Sequence, residues 1–453
     1  MPYVLTLTLL CAAPPLVGPA DELRAAVRDL EANVAPARCG DVRYVSFYNL
    51  PPAERAKAAA VLSLVLNSVS RADVIVRPQE VPQSESRLYR FSLADYRLPR
   101  DAWERLASQD SYWHLRTQVV APTDGKTQLV FTDGGWVGLA AAARLRELTG
   151  SGGALLRGDF FLAQATTTLD GGAYYDLAGV AATENEFFQA LGIDVATIGE
   201  LGGDGGANAL RSLVTFKPRR IVRRQGPLGG AWHTYDTAAA TAERDPLRNP
   251  FAFEYDAGEH IAAKRNGLHL YALYDRAGRR QDSVPDVVAK DTTDAHGSGI
   301  VVPMISCVRC HVEDGLRPVA NDQRRLLERG VELYAAEPRD AQRLASFYFA
   351  DLEKHLRRDR EDYAAAAASA TGGLSGAETA AALAALVERY RNELVDLKRA
   401  AEELGTAPET LAAALRATHD PILAALVVGA AVDRKQWEAS CAEAALLVAP
   451  ARE

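Results

Sequence analysis

Residues 383–397 read LAALVERYRNELVDL and place Leu383, Leu386, Tyr390, Leu394 and Leu397 at steps of three or four. That period lays the five side chains along one stripe of an α-helix. Just upstream, Thr371-Gly372-Gly373 breaks the chain, and Ser375-Gly376-Ala377-Glu378 has the spacing of a capping box that starts a helix. A second box, Thr406-Ala407-Pro408-Glu409, follows, with proline inside the first turn where its missing N–H costs nothing. Further back, Leu344, Tyr348, Leu352 and Leu356 step by four, and the composition from about residue 321 is rich in alanine, leucine and arginine. The segment 321–453 is therefore expected to be an all-α region, a bundle of about four helices.

Before that region the pattern is mixed. Pro51-Pro52-Ala53-Glu54 opens a helix with Ala58, Val61, Leu62, Val65 and Leu66 at helical spacing. Strands are expected at 74–76 and at 87–93, where Tyr89, Phe91 and Leu93 alternate. Asp101-Ala102-Trp103-Glu104 starts another helix, and Thr183-Glu184-Asn185-Glu186 is a third capping box. Residues 21–224 are thus predicted to be mixed α/β. Residues 225–320 are predicted to be a small segment of mostly irregular structure. The fold class expected for the whole is α+β.

The chain has 453 residues, of which 48% are hydrophobic and 24% charged, enough for an extensive core. It carries 51 basic and 59 acidic residues, a net charge of −8. With a pI near 5.6, a general nucleic-acid binder is not expected. Residues 1–20 hold an apolar run from Val4 to Ala13 and small residues, Gly18 and Ala20, ahead of a cut before Asp21. This is the layout of a secretory signal peptide, although the start has no Lys or Arg. The run is too short to span a bilayer, and no later segment is long enough, so no transmembrane segment is expected. The expected location is the periplasm or cell envelope. Five cysteines do not make a disulfide scaffold, although in an oxidising compartment Cys39 and Cys441 could bridge or could each be a buried small side chain.

The chemistry is concentrated in Cys307-Val308-Arg309-Cys310-His311. Two thiols three positions apart can form thioethers to the two vinyl groups of one haem, and the adjacent imidazole can hold its iron. A zinc site would want a second Cys/His pair nearby, but the next such residues are His355 and Cys441. A thioredoxin-like dithiol would sit at a helix start after a strand, and Ile300-Val301-Val302 makes such a strand conceivable.

The motif resembles the haem-binding site of c-type cytochromes. More loosely, the chain resembles a family of large exported bacterial proteins that carry one haem c. The shared short patterns are Asn266-Gly267-Leu268 with Tyr271, then Asp275-Arg276-Ala277-Gly278, and after the motif Arg399-Ala400-Ala401-Glu402-Glu403-Leu404-Gly405. The resemblance implies one covalent haem c on Cys307 and Cys310, His311 as its iron ligand, electron transfer, and a redox partner protein whose identity it does not give.

Small cytochromes place a distal methionine downstream of the motif, whereas here Met304 precedes it and none follows. The distal ligand is then a histidine or nothing, from among His114, His233, His260, His269, His296, His355 and His419. His269, on an expected strand over 268–273, is the preferred choice. A vacant position would instead suit a peroxidase-like enzyme, and a bare cysteine pair would suit a structural or redox-switching envelope protein. Two other stretches are weighed. Glu200-Leu201-Gly202-Gly203-Asp204-Gly205-Gly206 lacks the end of a phosphate-binding loop and is expected to be a surface loop. Lys217, Arg219, Arg220, Arg223 and Arg224 form either a solvated strand face or an electropositive patch for haem carboxylates or an acidic partner.

Overall fold

The computed structural model describes residues 17–110, 117–120, 128–131, 139–194, 201–239, 241–284, 287–292, 299–311, 315–392, 394–416 and 418–448. The first half alternates short strands and helices: α1 (Pro19–Asn33), β1 (Val42–Ser46), α2 (Pro52–Val69), β2 (Gln79–Glu80), β3 (Leu88–Ser92), α3 (Arg100–Ala107), β4 (Thr117–Val120), β5 (Gln128–Phe131), α4 (Leu139–Thr149), β6 (Leu155–Arg157), α5 (Gly158–Ala165), α6 (Tyr174–Ala178) and α7 (Glu184–Ala190). Strands β2, β3, β1 and β6 form a sheet in that order, antiparallel except for the parallel pair β1 and β6. All five residues of β1 are buried, because helices cover both faces. Val45 enters the main core with Val61, Leu62 and Val65 of α2, while Val42 and Tyr44 enter a second core with Leu23, Leu30 and Trp437.

A second, five-stranded antiparallel sheet follows, in the order β11-β10-β9-β8-β7: β7 (Gly205–Ala209), β8 (Arg219–Gly226), β9 (Gly229–Asp236), β10 (Ala257–Ala263) and β11 (His269–Asp275). Its free edge at β11 is covered by α6. The Tyr271 N–H donates to the Tyr174 hydroxyl at 2.9 Å and the Leu273 N–H to the Tyr175 hydroxyl at 3.2 Å. Two tyrosines thus satisfy the amides that an open edge would leave bare. The β10–β11 turn docks on the end of α2, where the Lys264 ammonium donates to the carbonyls of Asn67 and Ser68 at 3.0 and 2.6 Å. A cation is favoured at that negative helix end.

After the sheet come α8 (Ile305–His311), α9 (Asp322–Leu327), α10 (Pro338–Tyr348), α11 (Leu352–Thr371), α12 (Gly376–Arg391), α13 (Leu397–Leu404), α14 (Pro408–Leu415), α15 (Pro421–Val427) and α16 (Arg434–Val448). The fold is α+β, with an N-terminal α/β region and a helical C-terminal region. Among the described residues no helix is long and apolar enough to cross a membrane.

Several boundaries differ from expectation. The limit drawn at 224 falls inside β8, and much of 225–320 is regular sheet. The helical region from 321 holds eight helices among the described residues and shares both cores with the first half. The stripe from Leu383 buries Leu383, Leu386 and Tyr390, but α12 ends at Arg391 and Leu394 is 59% exposed. The boxes at Thr183 and Ser375 form as expected. At α14 the cap is Ala407, with Pro408 opening the helix, so that box does not form. Residues 74–76 are not a strand, and Gly205 and Gly206 of the glycine-rich stretch begin β7.

Residues 1–16 lie outside the described residues. Gly18 caps α1, its N–H donating to the Asp21 carboxylate at 3.0 Å, and it packs closely against Gly405. Processing immediately before Asp21 would remove that cap.

Candidate functional site: the turn at Cys307–His311

Helix α8 is short and locally fixed. Met304, fully buried in the main core, takes φ +71° just before it, and its carbonyl accepts the Val308 N–H at 2.7 Å. The Val302 N–H donates to the Ser306 hydroxyl at 3.0 Å. At the far end Gly315, at φ +72°, donates its N–H to the His311 carbonyl at 2.6 Å. A Cβ there would sit 2.8 Å from the Tyr363 ring, so only glycine lets the chain pass. The helix buries Ile305 and Val308. Cys307, Cys310 and His311, at positions i, i+3 and i+4, therefore lie together on the other side, and each is partly exposed.

The sheet positions what surrounds them. Register pairs Glu259 with Leu273, Ile261 with Tyr271 and Ala263 with His269, so Glu259, Tyr271 and His269 share one face. Glu259 and Asp291 both add negative potential at Cys307 and Cys310. Arg309 and Arg317 oppose it at Cys310, and Arg317 and Arg219 act at His311. Tyr174, Tyr175 and Tyr271 gather on the Cys307 side. Burial pushes the Cys307 thiol well above its ordinary pKa and raises that of Cys310, with Glu259 and Asp291 adding to both. Burial likewise brings His311 down to about 4. Both thiols are unbridged, and the His311 Nδ1 is buried with no hydrogen-bond partner.

His269 belongs to this neighbourhood. It is 4% exposed, and its ring stacks on Tyr363 of α11 with centroids 4.2 Å apart and planes at 25°. Its Nδ1 is buried and unpartnered. Burial brings it down to about 3, with His311 adding to the effect. The other candidates lie apart. His233 and His260 face the opposite side of the same sheet, directly across from each other. His355 is on α11 and His419 is exposed, while His114 and His296 lie outside the described residues. Cys39 and Cys441 are buried in the second core as separate thiols.

The basic cluster is neither a solvated face nor an electropositive patch. Arg219, Arg220, Arg223 and Arg224 are all buried in β8. Arg219 pairs with Asp236 at 2.7 Å and Glu259 at 3.1 Å, and Arg223 with Asp204 at 2.5 Å and Asp359 at 2.9 Å. Arg220 donates to Asn208 and to the carbonyls of residues 249–251, and Lys217 to the carbonyls of Ala238 and Val287. Charges at these positions hold the sheet to its surroundings.

On the reverse face His260 Nε2 lies 2.7 Å from the buried Glu184 carboxylate, and the His233 ring lies 4.7 Å from that of His260. Neither nitrogen of His233 has a partner. Burial first, then His260 and Arg224, hold His233 well below the ordinary imidazole pKa. The fold keeps it neutral while the unfolded chain protonates below about pH 6.5, so stability is lost as pH falls through that value. The His233→Phe variant should match the wild type within about 1 kcal/mol at pH 7.5. It should lose about 1 kcal/mol less per pH unit between 6.5 and 5, measured by urea unfolding.

Among the described residues no three or more His, Cys, Asp or Glu side chains are grouped so as to hold a metal ion. Cys307, Cys310 and His311 do not converge on one point, as a zinc site would require and a haem-attachment turn does not. Scans against protein-family models, curated proteins and solved structures find no match to this chain.

Proposed function

We propose that the chain is an exported c-type cytochrome that holds one haem covalently and passes single electrons to or from a partner protein. The observation that carries this is the turn of α8, where two unbridged thiols and one imidazole lie on one side of the helix, each only partly exposed. Cys307 and Cys310 would hold the porphyrin edge and His311 the iron. When bound, the group supplies a one-electron iron couple.

The remaining residues suit that role better than dithiol exchange. A redox-active pair needs a lowered thiol pKa, whereas burial and the nearby carboxylates raise both thiols here. Among the described residues, the segment before α8 contributes isolated bridges at Ile300 and Val301 and not the strand of a βαβ unit. Arg309 and Arg317 place positive charge beside Cys310, where the carboxylates of a haem would be favoured. Tyr174, Tyr175 and Tyr271 make the Cys307 side an aromatic, poorly hydrated wall, which would screen the iron from water.

The test is expression through an export and haem-attachment pathway, followed by an alkaline pyridine spectrum of the denatured chain. Covalent haem is expected in the wild type and none in the Cys307→Ala/Cys310→Ala double variant. Wild-type protein matured in this way but free of haem would overturn the proposal.

A further inference from the structure

We propose that His269 is the second axial ligand of the iron, making a bis-histidine, six-coordinate centre. This rests on the haem reading and deepens it.

The placement is built by the sheet and α11 together. His269 opens β11 and lies against the Tyr363 ring, which also packs on Gly315, whose N–H donates to the His311 carbonyl at 2.6 Å. His233 and His260 are removed from this space by the parity of the strands, since they point to the other face. Met304 is removed by its burial in the main core on the approach to α8.

His269 is also held as a ligand needs to be. Tyr363 stacks on one side of its ring, and the Tyr271 ring meets it nearly edge-on at 6.0 Å and 88°. Gly315 packs against the same Tyr363 ring, so the chain leaving the motif and the support of His269 share one side chain. The Nδ1 atoms of both His269 and His311 are buried without partners. Two imidazoles linked through the Tyr363–Gly315 contact, beside buried tyrosines, are a donor set for iron.

The test uses the full-length holoprotein and reads spin state by absorption and paramagnetic resonance. The wild type should be low-spin in both oxidation states and slow to bind carbon monoxide. His269→Ala should convert it to a high-spin centre that binds carbon monoxide rapidly and returns to low spin with added imidazole. Because His269 is buried, His269→Met is the companion variant. It should stay low-spin with a clearly raised reduction potential, as a methionine ligand requires. His355→Ala should leave the spectrum unchanged. A low-spin spectrum that persists unaltered in His269→Ala, or a wild-type centre already high-spin, would overturn the assignment while leaving covalent attachment intact. Absence of covalent haem in the wild type would instead strike the underlying proposal.

Discussion

Truncating Glu403 to alanine should cost about 3–5 kcal/mol of unfolding free energy, measured by urea titration at pH 7. Glu403 is fully buried on α13, and three arginines converge on it: Arg434 at 2.8 Å, Arg399 at 3.0 Å and Arg157 at 3.3 Å. The Trp437 indole N–H donates to the same carboxylate at 3.0 Å, and the Tyr48 hydroxyl donates to the Glu403 backbone carbonyl at 2.5 Å. Arg157 ends β6, Arg399 lies on α13 and Arg434 on α16, so one carboxylate joins the first sheet to the C-terminal helices. Removing it leaves desolvated guanidiniums with much of their compensation gone. Burial pushes this carboxyl up, but Arg434, Arg157 and Arg399 outweigh it and hold the group well below the ordinary range. A depressed carboxylate contributes stability above its unfolded pKa and loses it as the solution is acidified. The wild type should therefore weaken progressively below about pH 4.5, and Glu403→Gln should lack that part of the acid loss. An alanine variant within about 1 kcal/mol of the wild type would show that the cluster holds nothing.

Asp359→Ala should be nearly as damaging, about 3–5 kcal/mol. Asp359 of α11 accepts from Arg223 Nε at 2.9 Å, from Arg223 Nη2 at 3.1 Å and from the Trp232 indole at 2.8 Å. Gly230 makes room for it, since a Cβ there would come within 2.2 Å of Asp359 Oδ2. These bonds fix α11 to β8 and β9, and Tyr363, one turn further along, is the stacking partner of His269. The variant should therefore show two effects together: a lower urea midpoint and a holoprotein that binds carbon monoxide faster. Asp359→Asn keeps one acceptor oxygen and should lose less of both. A destabilised variant with an unaltered spectrum would separate α11 from the proposed iron site.

The residues show why part of this was legible in the sequence and part was not. The boxes at Thr183 and Ser375 and the spacing of Cys307, Cys310 and His311 are local patterns, set by neighbours three or four positions away. The burial of the β8 arginines has no local signature because partners lie far along the chain: Arg223 meets Asp359 136 positions away. Five basic residues in a run suggest solvent until the acids that neutralise them are placed. Leu394 failed because a helical period can continue through residues that do not belong to the helix; α12 stops three positions earlier. His269 was signalled by its alternation with Tyr271 on an expected strand. Its stacking partner Tyr363 comes from α11, 94 positions away, and only the register of β10 and β11 puts His269 on the face that meets that helix.

The most direct measurement is the mass of the proteolytic peptide containing Cys307 and Cys310, taken from protein matured in an oxidising, haem-attaching compartment. One haem added to that peptide, on the two sulfurs, is the result expected. An unmodified peptide carrying two thiols, or a Cys307–Cys310 disulfide, would contradict it.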